Sequence, residues 1–289
     1  MQISLFFLWL LHFLPLPWIN RLGMVLGNLA YILASQRRQV TLTNLALCFP
    51  QWRQEDCQLV AKRHFQAFAT HILSQGMAWF TPLDKMKQIV RYEHFEYLEE
   101  ALKEGPVIIL APHFFGMDTG GICLAADVNL LSLYARHKNL KIDQQIQRHR
   151  LRWGRGKMFS RQDGIRPIVR DLKTGWAFYY HPDLDFGPKE SIFVDFFTQQ
   201  AATVPALSRL SKLSKAKVIP SYAHQDYANG HLTIRFYPAW DHYPSDDIKL
   251  DTRRMNAFIE ERVLEKPELY LWSHKRFKTR PAGVASPYK

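Results

Sequence analysis

With 289 residues and a formal charge of +12, the chain is too long for a disulfide-stapled miniprotein and has room for one large domain, or one domain and an appendage. Its 47% hydrophobic and 22% charged residues exclude wholesale disorder and a polytopic membrane protein. The positive excess calls for an anionic partner, and nucleic acid, acidic membrane lipid and an acidic protein all qualify.

Met1 to Asn20 contains no Lys, Arg, Asp or Glu, and after Arg21 a second uncharged run, Leu22 to Ser35, stops at Arg37 and Arg38. A spanning helix needs about 20 apolar residues, a length the first run barely reaches, and Pro15 and Pro17 fall near its end. Two arrangements fit: a short or tilted transmembrane anchor, or apolar segments lying in the interface or against the domain. No basic segment precedes the run, which argues against a cleaved secretory signal, and Arg37 and Arg38 would place the following chain on the cytoplasmic side. Residues 1–38 are therefore expected to be a hydrophobic membrane anchor and residues 39–289 a single domain. Cys48, Cys57 and Cys123 show no paired metal-ligand spacing, as in a protein of a reducing compartment.

Glu55 to Phe80 places apolar residues at helical spacing, among them Leu59, Phe65, Phe68 and Ile72, and predicts an amphipathic helix. Val107-Ile108-Ile109-Leu110-Ala111 is a continuous apolar run, the pattern of a strand buried on both faces. Similar runs recur at 131–135, 176–180, 192–197, 217–223 and 232–237. Helical stretches fit between several of them, at 120–127, 142–153, 165–173, 204–215 and 251–264. This alternation predicts an α/β fold with a largely parallel central sheet flanked by helices, whose ligands sit beyond the carboxyl ends of strands.

Beyond the first buried strand lies Pro112-His113-Phe114-Phe115-Gly116-Met117-Asp118. On a regular helix His113 and Asp118 would point about 140° apart. If His113 ends the strand and Asp118 enters the next helix, a turn at Gly116 could fold the carboxylate onto the imidazole. The unit would be an oriented general base without a nucleophile of its own, acting on a substrate hydroxyl. A core histidine satisfied by a neighbouring acid has the same spacing, so spacing leaves both readings open.

The His113-x4-Asp118 pattern resembles the motif of the glycerolipid and lysophospholipid acyltransferase superfamily. Longer blocks resemble one branch, the bacterial lipid A late acyltransferases of lauroyl/myristoyl type. They are Asn44-Leu45 with Cys48-Phe49-Pro50, Tyr134-Ala135-Arg136, the run Pro182 to Pro188 with Phe193-Val194 and Phe196-Phe197, Gln200 to Thr203, and Tyr270 to Pro281. They occur in family order over nearly the whole chain. The resemblance implies a glycerol-3-phosphate-acyltransferase-like fold and an enzyme of the bacterial inner membrane with its catalytic domain on the cytoplasmic side. It implies transfer of a fatty acyl chain from acyl-carrier protein to a hydroxyl of a lipid A precursor, with His113 as general base and Asp118 orienting it. The carrier thioester is already a competent donor, so no cofactor or metal is expected. Lipid A members commonly carry Glu where Asp118 stands, a departure that bears on the acceptor more than on the chemistry. Acylation of another glycerolipid or glycolipid is the nearest alternative.

Arg136 and Arg161 are candidates for holding lipid phosphates or the carrier's phosphopantetheine arm, because arginine binds phosphate bidentately. Arg148, Arg150 and Arg152 are read as ordinary surface charge. Asp183-x-Asp185 suits acceptor positioning or a structural role better than a metal site, because no other ligands lie nearby. The charge is concentrated: residues 136–175 carry a net +9 and 269–289 a net +5. Trp272 to Arg280 mixes aromatics with cations, as a helix on anionic headgroups or a docking edge would. Basic residues among aromatics can also bind single-stranded nucleic acid, but no helix-turn-helix, zinc or RNP pattern accompanies them, so no nucleic-acid partner is expected. The anions expected are inner-membrane lipids, the lipid A precursor and acyl-carrier protein.

Overall fold

Every residue from Val107 to Leu110 is fully buried, so this strand is covered on both faces. It belongs to a computed structural model that describes residues 2–226 and 231–288, with the side chains of residues 2–4 and 161 outside the described set. Four helices open the chain: α1 (Gln2–Leu11), α2 (Leu16–Leu33), α3 (Ser35–Cys48) and α4 (Gln54–Phe80). Helix α5 (Leu83–Ile89), strand β1 (Val90–Glu93) and helix α6 (Glu96–Glu104) lead to the buried strand β2 (Val107–Leu110). Then follow α7 (Met117–Leu124), β3 (Leu130–Tyr134), α8 (Leu140–Arg150), β4 (Gly156–Ser160), a 3-10 turn at Arg161–Asp163, α9 (Arg166–Leu172) and β5 (Ala177–Tyr180). A hairpin of β6 (Ile192–Phe196) and β7 (Gln199–Thr203) precedes α10 (Ala206–Ser214), β8 (Lys217–Gln225), β9 (Leu232–Phe236) and α11 (Ile248–Glu265).

Seven strands form one sheet in the order β1-β9-β8-β2-β5-β3-β4, while β6 and β7 pair separately. Every pairing in the large sheet is parallel except β8 with β9, in agreement with the alternating pattern of the sequence. Ile108 and Leu110 join Phe178 and Val218 in the core on one face, and Val107 and Ile109 join Ala177 and Ile219 on the other. That alternation is the period of two expected of strands between helix layers.

Helix α1 has only ten residues. No described helix is long and apolar enough to cross a membrane, so of the two arrangements open at the N-terminus the spanning one finds no support among the described residues. Pro15 and Pro17 sit at the start of α2, where a missing N–H costs nothing, and so divide α1 from α2. The residue-38 boundary falls inside α3. Helix α2 lies so close to α4 that Gly23 and Gly27 have no room for a side chain. A Cβ on Gly27 would come within 2.4 Å of the Gln66 Cα, and one on Gly23 within 2.7 Å of the Thr70 Cα. The outward faces of α1 and α2 and the turn between them expose Phe6, Phe7, Trp9, Phe13, Trp18 and Ile32.

The Trp272 to Arg280 segment is not helical. Trp272, Arg276 and Phe277 are buried, so its aromatics and one cation face the protein interior. A residue of any volume at Gly27 must push α2 off α4. Gly27→Ala is therefore expected to cost about 1–3 kcal/mol, read as a lowered Tm, and an unchanged Tm would show that α2 shifts freely.

Candidate active site

Leu110 pairs in register with Tyr180, so β2 and β5 leave the sheet side by side. His113 and Asp183 each lie three residues beyond that pair, and the parallel ladder carries them to the same level. The ladder runs on through the Ala111 N–H, which donates to the Tyr180 carbonyl at 2.9 Å, and through His181 Nδ1, which donates to the Ala111 carbonyl at 2.7 Å. Asp183 then receives His113 twice. Its Oδ1 lies 2.7 Å from His113 Nδ1, and its Oδ2 accepts from the His113 backbone N–H at 3.0 Å.

This geometry revises the expected partner of the imidazole. Gly116, at φ 119°, starts α7 at Met117, and the Asp118 carboxylate pairs with Arg150 Nη2, at the end of α8, at 2.7 Å. Asp118 and Arg150 thus form an ion pair of their own, while Asp183 orients the ring. With Nδ1 as the donor to Asp183, the lone pair lies on Nε2, which makes no hydrogen bond among the described residues. The His113 side chain is 17% exposed and Asp183 1%, so the acid is sealed and the base is reachable.

Burial pushes the Asp183 carboxyl up, but the charge and hydrogen bonds of His113 and the charge of Arg276 outweigh it and hold Asp183 at about 2. The ionised acid therefore stands behind the imidazole at any physiological pH. His181, whose ring centre is 5.4 Å from that of His113, is pulled down to about 4, chiefly by burial and then by the His113 charge. Behind the loop, His71 of α4 stacks on Phe115 at 5.6 Å and is lowered by burial, against which the Asp118 charge works.

The carboxy-terminal segment braces this loop. The Phe115 N–H donates to the Leu269 carbonyl at 2.9 Å, the Leu271 N–H donates to the His113 carbonyl at 3.1 Å, and Phe114 bridges to Tyr270. Asp185, expected as an acceptor contact, is spent on that segment. Its oxygens accept from the Thr279 N–H at 2.6 Å, the Thr279 hydroxyl at 2.8 Å and the Gly187 N–H at 2.9 Å. Asp183 and Asp185 therefore turn to different partners and do not converge on a common site. Arg136 is exposed and lies 3.6 Å from Asp163, away from the imidazole's partners. Arg161 opens the 3-10 turn after β4, and its side chain lies outside the described set. Sequence reasoning missed Arg150 and His181, although His181 follows a buried strand as directly as His113 does.

Residues 1–279 match the family model for bacterial lipid A biosynthesis acyltransferases. The chain belongs to this family. A lipid A biosynthesis acyltransferase of Haemophilus influenzae is 34% identical over 97% of this chain and 88% of its own. The lipid A biosynthesis lauroyltransferase of Escherichia coli is 31% identical over 97% and 92%, and the myristoyltransferase of the same organism 34% over 94% and 84%. A crystal structure of the 1-acyl-sn-glycerophosphate acyltransferase PlsC from Thermotoga maritima matches with TM-score 0.41 and 15% identity, over 86% of this chain and 98% of that one. The protein is thus an acyltransferase of lipid A biosynthesis.

His181 gives this acyltransferase a pH signature. Its folded-state value of about 4 lies below the ordinary 6.5, so between these limits the unfolded chain binds the extra proton. The stability it contributes is complete above pH 6.5 and declines as pH falls toward 4, by about 3 kcal/mol at most. In urea unfolding, His181→Gln is expected to lessen the loss of stability between pH 6.5 and 4 by its own share, alongside the equal shifts of the buried His64, His224 and His274. A slope equal to that of the unaltered protein would mean His181 is not held neutral.

Proposed function

We propose that the protein transfers a fatty acyl group from the thioester of acyl-carrier protein to a hydroxyl of a lipid A precursor, with His113 as general base. His113 Nε2 takes the hydroxyl proton as the oxygen attacks the thioester carbonyl. The tetrahedral intermediate collapses with cleavage of the C–S bond, and the imidazolium returns its proton to the departing thiolate. Asp183 fixes the tautomer and stabilises the imidazolium. The observation that carries this reading is the 2.7 Å contact of His113 Nδ1 with a buried, ionised Asp183, which leaves Nε2 for substrate.

Asp118 acts one step removed, by holding the Arg150 guanidinium beside the site, where it balances the charge of the developing oxyanion or of a phosphorylated acceptor. The apolar faces of α1 and α2 support a protein resting in the inner-membrane interface, since exposed apolar surface of this extent needs a cover. The catalytic domain then lies on the cytoplasmic side, where carrier thioesters are made. No cofactor is required, because the thioester itself supplies the activated acyl group.

The decisive assay combines the purified protein, acyl-carrier protein charged with a fatty acid, and a lipid A precursor, with the product read by mass spectrometry. His113→Ala is expected to give no product. Asp183→Asn should keep the fold and lower kcat by about 10²–10⁴-fold with little change in KM. Full turnover by His113→Ala would refute the general-base assignment, and full turnover by Asp183→Asn would remove Asp183 from it.

A further inference from the structure

The sheet presents one more feature at the edge that carries His113. The loop following β3 is exposed and cationic, residues 162–166 of the loop following β4 are exposed, and each loop lifts an aliphatic side chain into solvent. All residues from Ala135 to Lys141 are exposed, and Leu140, at the first position of α8, is 72% exposed between Lys138 and Lys141. The neighbouring loop exposes Ile165 to 49%, beside Arg166. Arg136 ties the two loops together through Asp163 at 3.6 Å.

Two of the three acids of this region are turned inward, and the third, the exposed Asp163, is taken up by Arg136. Asp143 is buried and accepts from the His137 N–H at 2.8 Å and from Gln147 Nε2 at 2.8 Å, while Asp171 is buried against Lys157 and Arg170. None of the ion pairs among the described residues engages Lys138, Lys141 or Arg148. Lys141 and Arg148 are seven residues apart on α8 and share a face. Asn139 caps that helix, accepting from the N–H groups of Lys141 and Ile142 at 3.0 and 3.3 Å, so the cations and Leu140 sit on a defined end.

We infer that this surface docks the acidic carrier protein that delivers the acyl thioester, an inference that rests on the donor proposed above. Three facts favour a protein over the bilayer. The charge is complementary to an acidic partner and surrounds isolated aliphatic positions, as at the centre of a protein contact. The broad apolar surface belongs to α1 and α2 instead. Leu16, at the start of α2, lines a small cavity with Gln225 of β8 and Leu232 of β9, and β8 is three strands from β3. In the order β8-β2-β5-β3-β4, His113 at the end of β2 lies between these flanks. At about 4.8 Å per strand, β3 and β4 are about 10 and 14 Å from β2, a span that a flexible thioester arm crosses. Donor and lipid acceptor therefore approach the base from opposite sides.

The test compares the unaltered protein with a Lys138→Glu/Lys141→Glu double variant and with Leu140→Ser. Turnover is measured with acyl-carrier protein thioester and with the same acyl group on pantetheine, and flotation with anionic phospholipid vesicles. Docking predicts a KM for the carrier thioester raised about tenfold or more, with kcat and pantetheine turnover unchanged and flotation intact. An unchanged carrier KM overturns it. Weakened flotation with unchanged KM assigns the loops to the membrane and also overturns it, as does an equal loss with pantetheine, which would place the effect in the active site. Binding of uncharged carrier protein, followed by surface plasmon resonance, stands apart from turnover. If the unaltered protein transfers no acyl group from the carrier, the donor assignment fails, and a Kd indifferent to the double variant would fail the surface as well.

Discussion

The site depends on the register of one parallel strand pair. Because Leu110 faces Tyr180, equal steps along both chains bring His113 and Asp183 together, and neither residue needs a helix to aim it. Parallel strands deliver their carboxyl ends to one edge, where the ladder has run out and backbone groups are free for side chains. The Asp183 carboxylate uses that opening. It is removed from water, at a cost that only hydrogen bonds and opposite charge can offset, and it finds both in the His113 ring, the His113 backbone N–H and Arg276. A slip of one residue between β2 and β5 would turn one of the two side chains to the opposite face of the sheet.

The carboxy-terminal segment makes that arrangement rigid. It runs across the loop that carries His113, exchanges backbone hydrogen bonds on both sides of Phe114, and is pinned at its far end by Asp185 to Thr279. Asn44 of α3 joins in, donating to the Trp272 and His274 carbonyls at 2.7 and 2.8 Å. His274, lowered to about 4 mainly by burial, stays neutral and accepts the Asp185 N–H through Nε2. Residues more than two hundred positions apart thus share one polar seam, and its members are satisfied by one another rather than by substrate.

Much of this was legible in the sequence. The buried strand Val107–Leu110, the helix–strand alternation and His113 beyond a strand end all followed from apolar runs and their period. The partner of His113 did not. Continuous apolar runs mark buried strands without saying which are neighbours, so the meeting of residues 113 and 183 stayed hidden, while the nearby Asp118 offered a pairing that spacing alone could suggest. Strands β1, β4 and β7 escaped: Val90–Glu93 is only four residues long, and Gly156–Ser160 and Gln199–Thr203 are neither apolar runs nor clean alternations. Trp272 to Arg280 misled for a related reason: aromatics interleaved with cations look alike on a headgroup-facing helix and in a buried strap. Only tertiary context separates the two.

The same contrast divides the two basic segments that hold the chain's positive excess. In the carboxy-terminal one, Arg276 is buried on the Ala202 carbonyl and the Thr203 hydroxyl, and Arg280 donates to the Gln200 carbonyl and to Gln199 Oε1. Those cations satisfy the β6–β7 hairpin. In the segment from Arg136 onward two of the three acids, Asp143 and Asp171, are drawn inside, and Lys138, Lys141 and Arg148 remain in solvent. Formal charge of the same sign is therefore put to different uses, because a guanidinium held on carbonyl and hydroxyl oxygens of the interior is not free to meet a partner while an exposed ammonium acts over about a Debye length. The attraction this acyltransferase exerts on anions is shaped by where its carboxylates are buried, and the loop beyond β3 keeps Lys138 and Lys141 exposed and outside the ion pairs of the described residues.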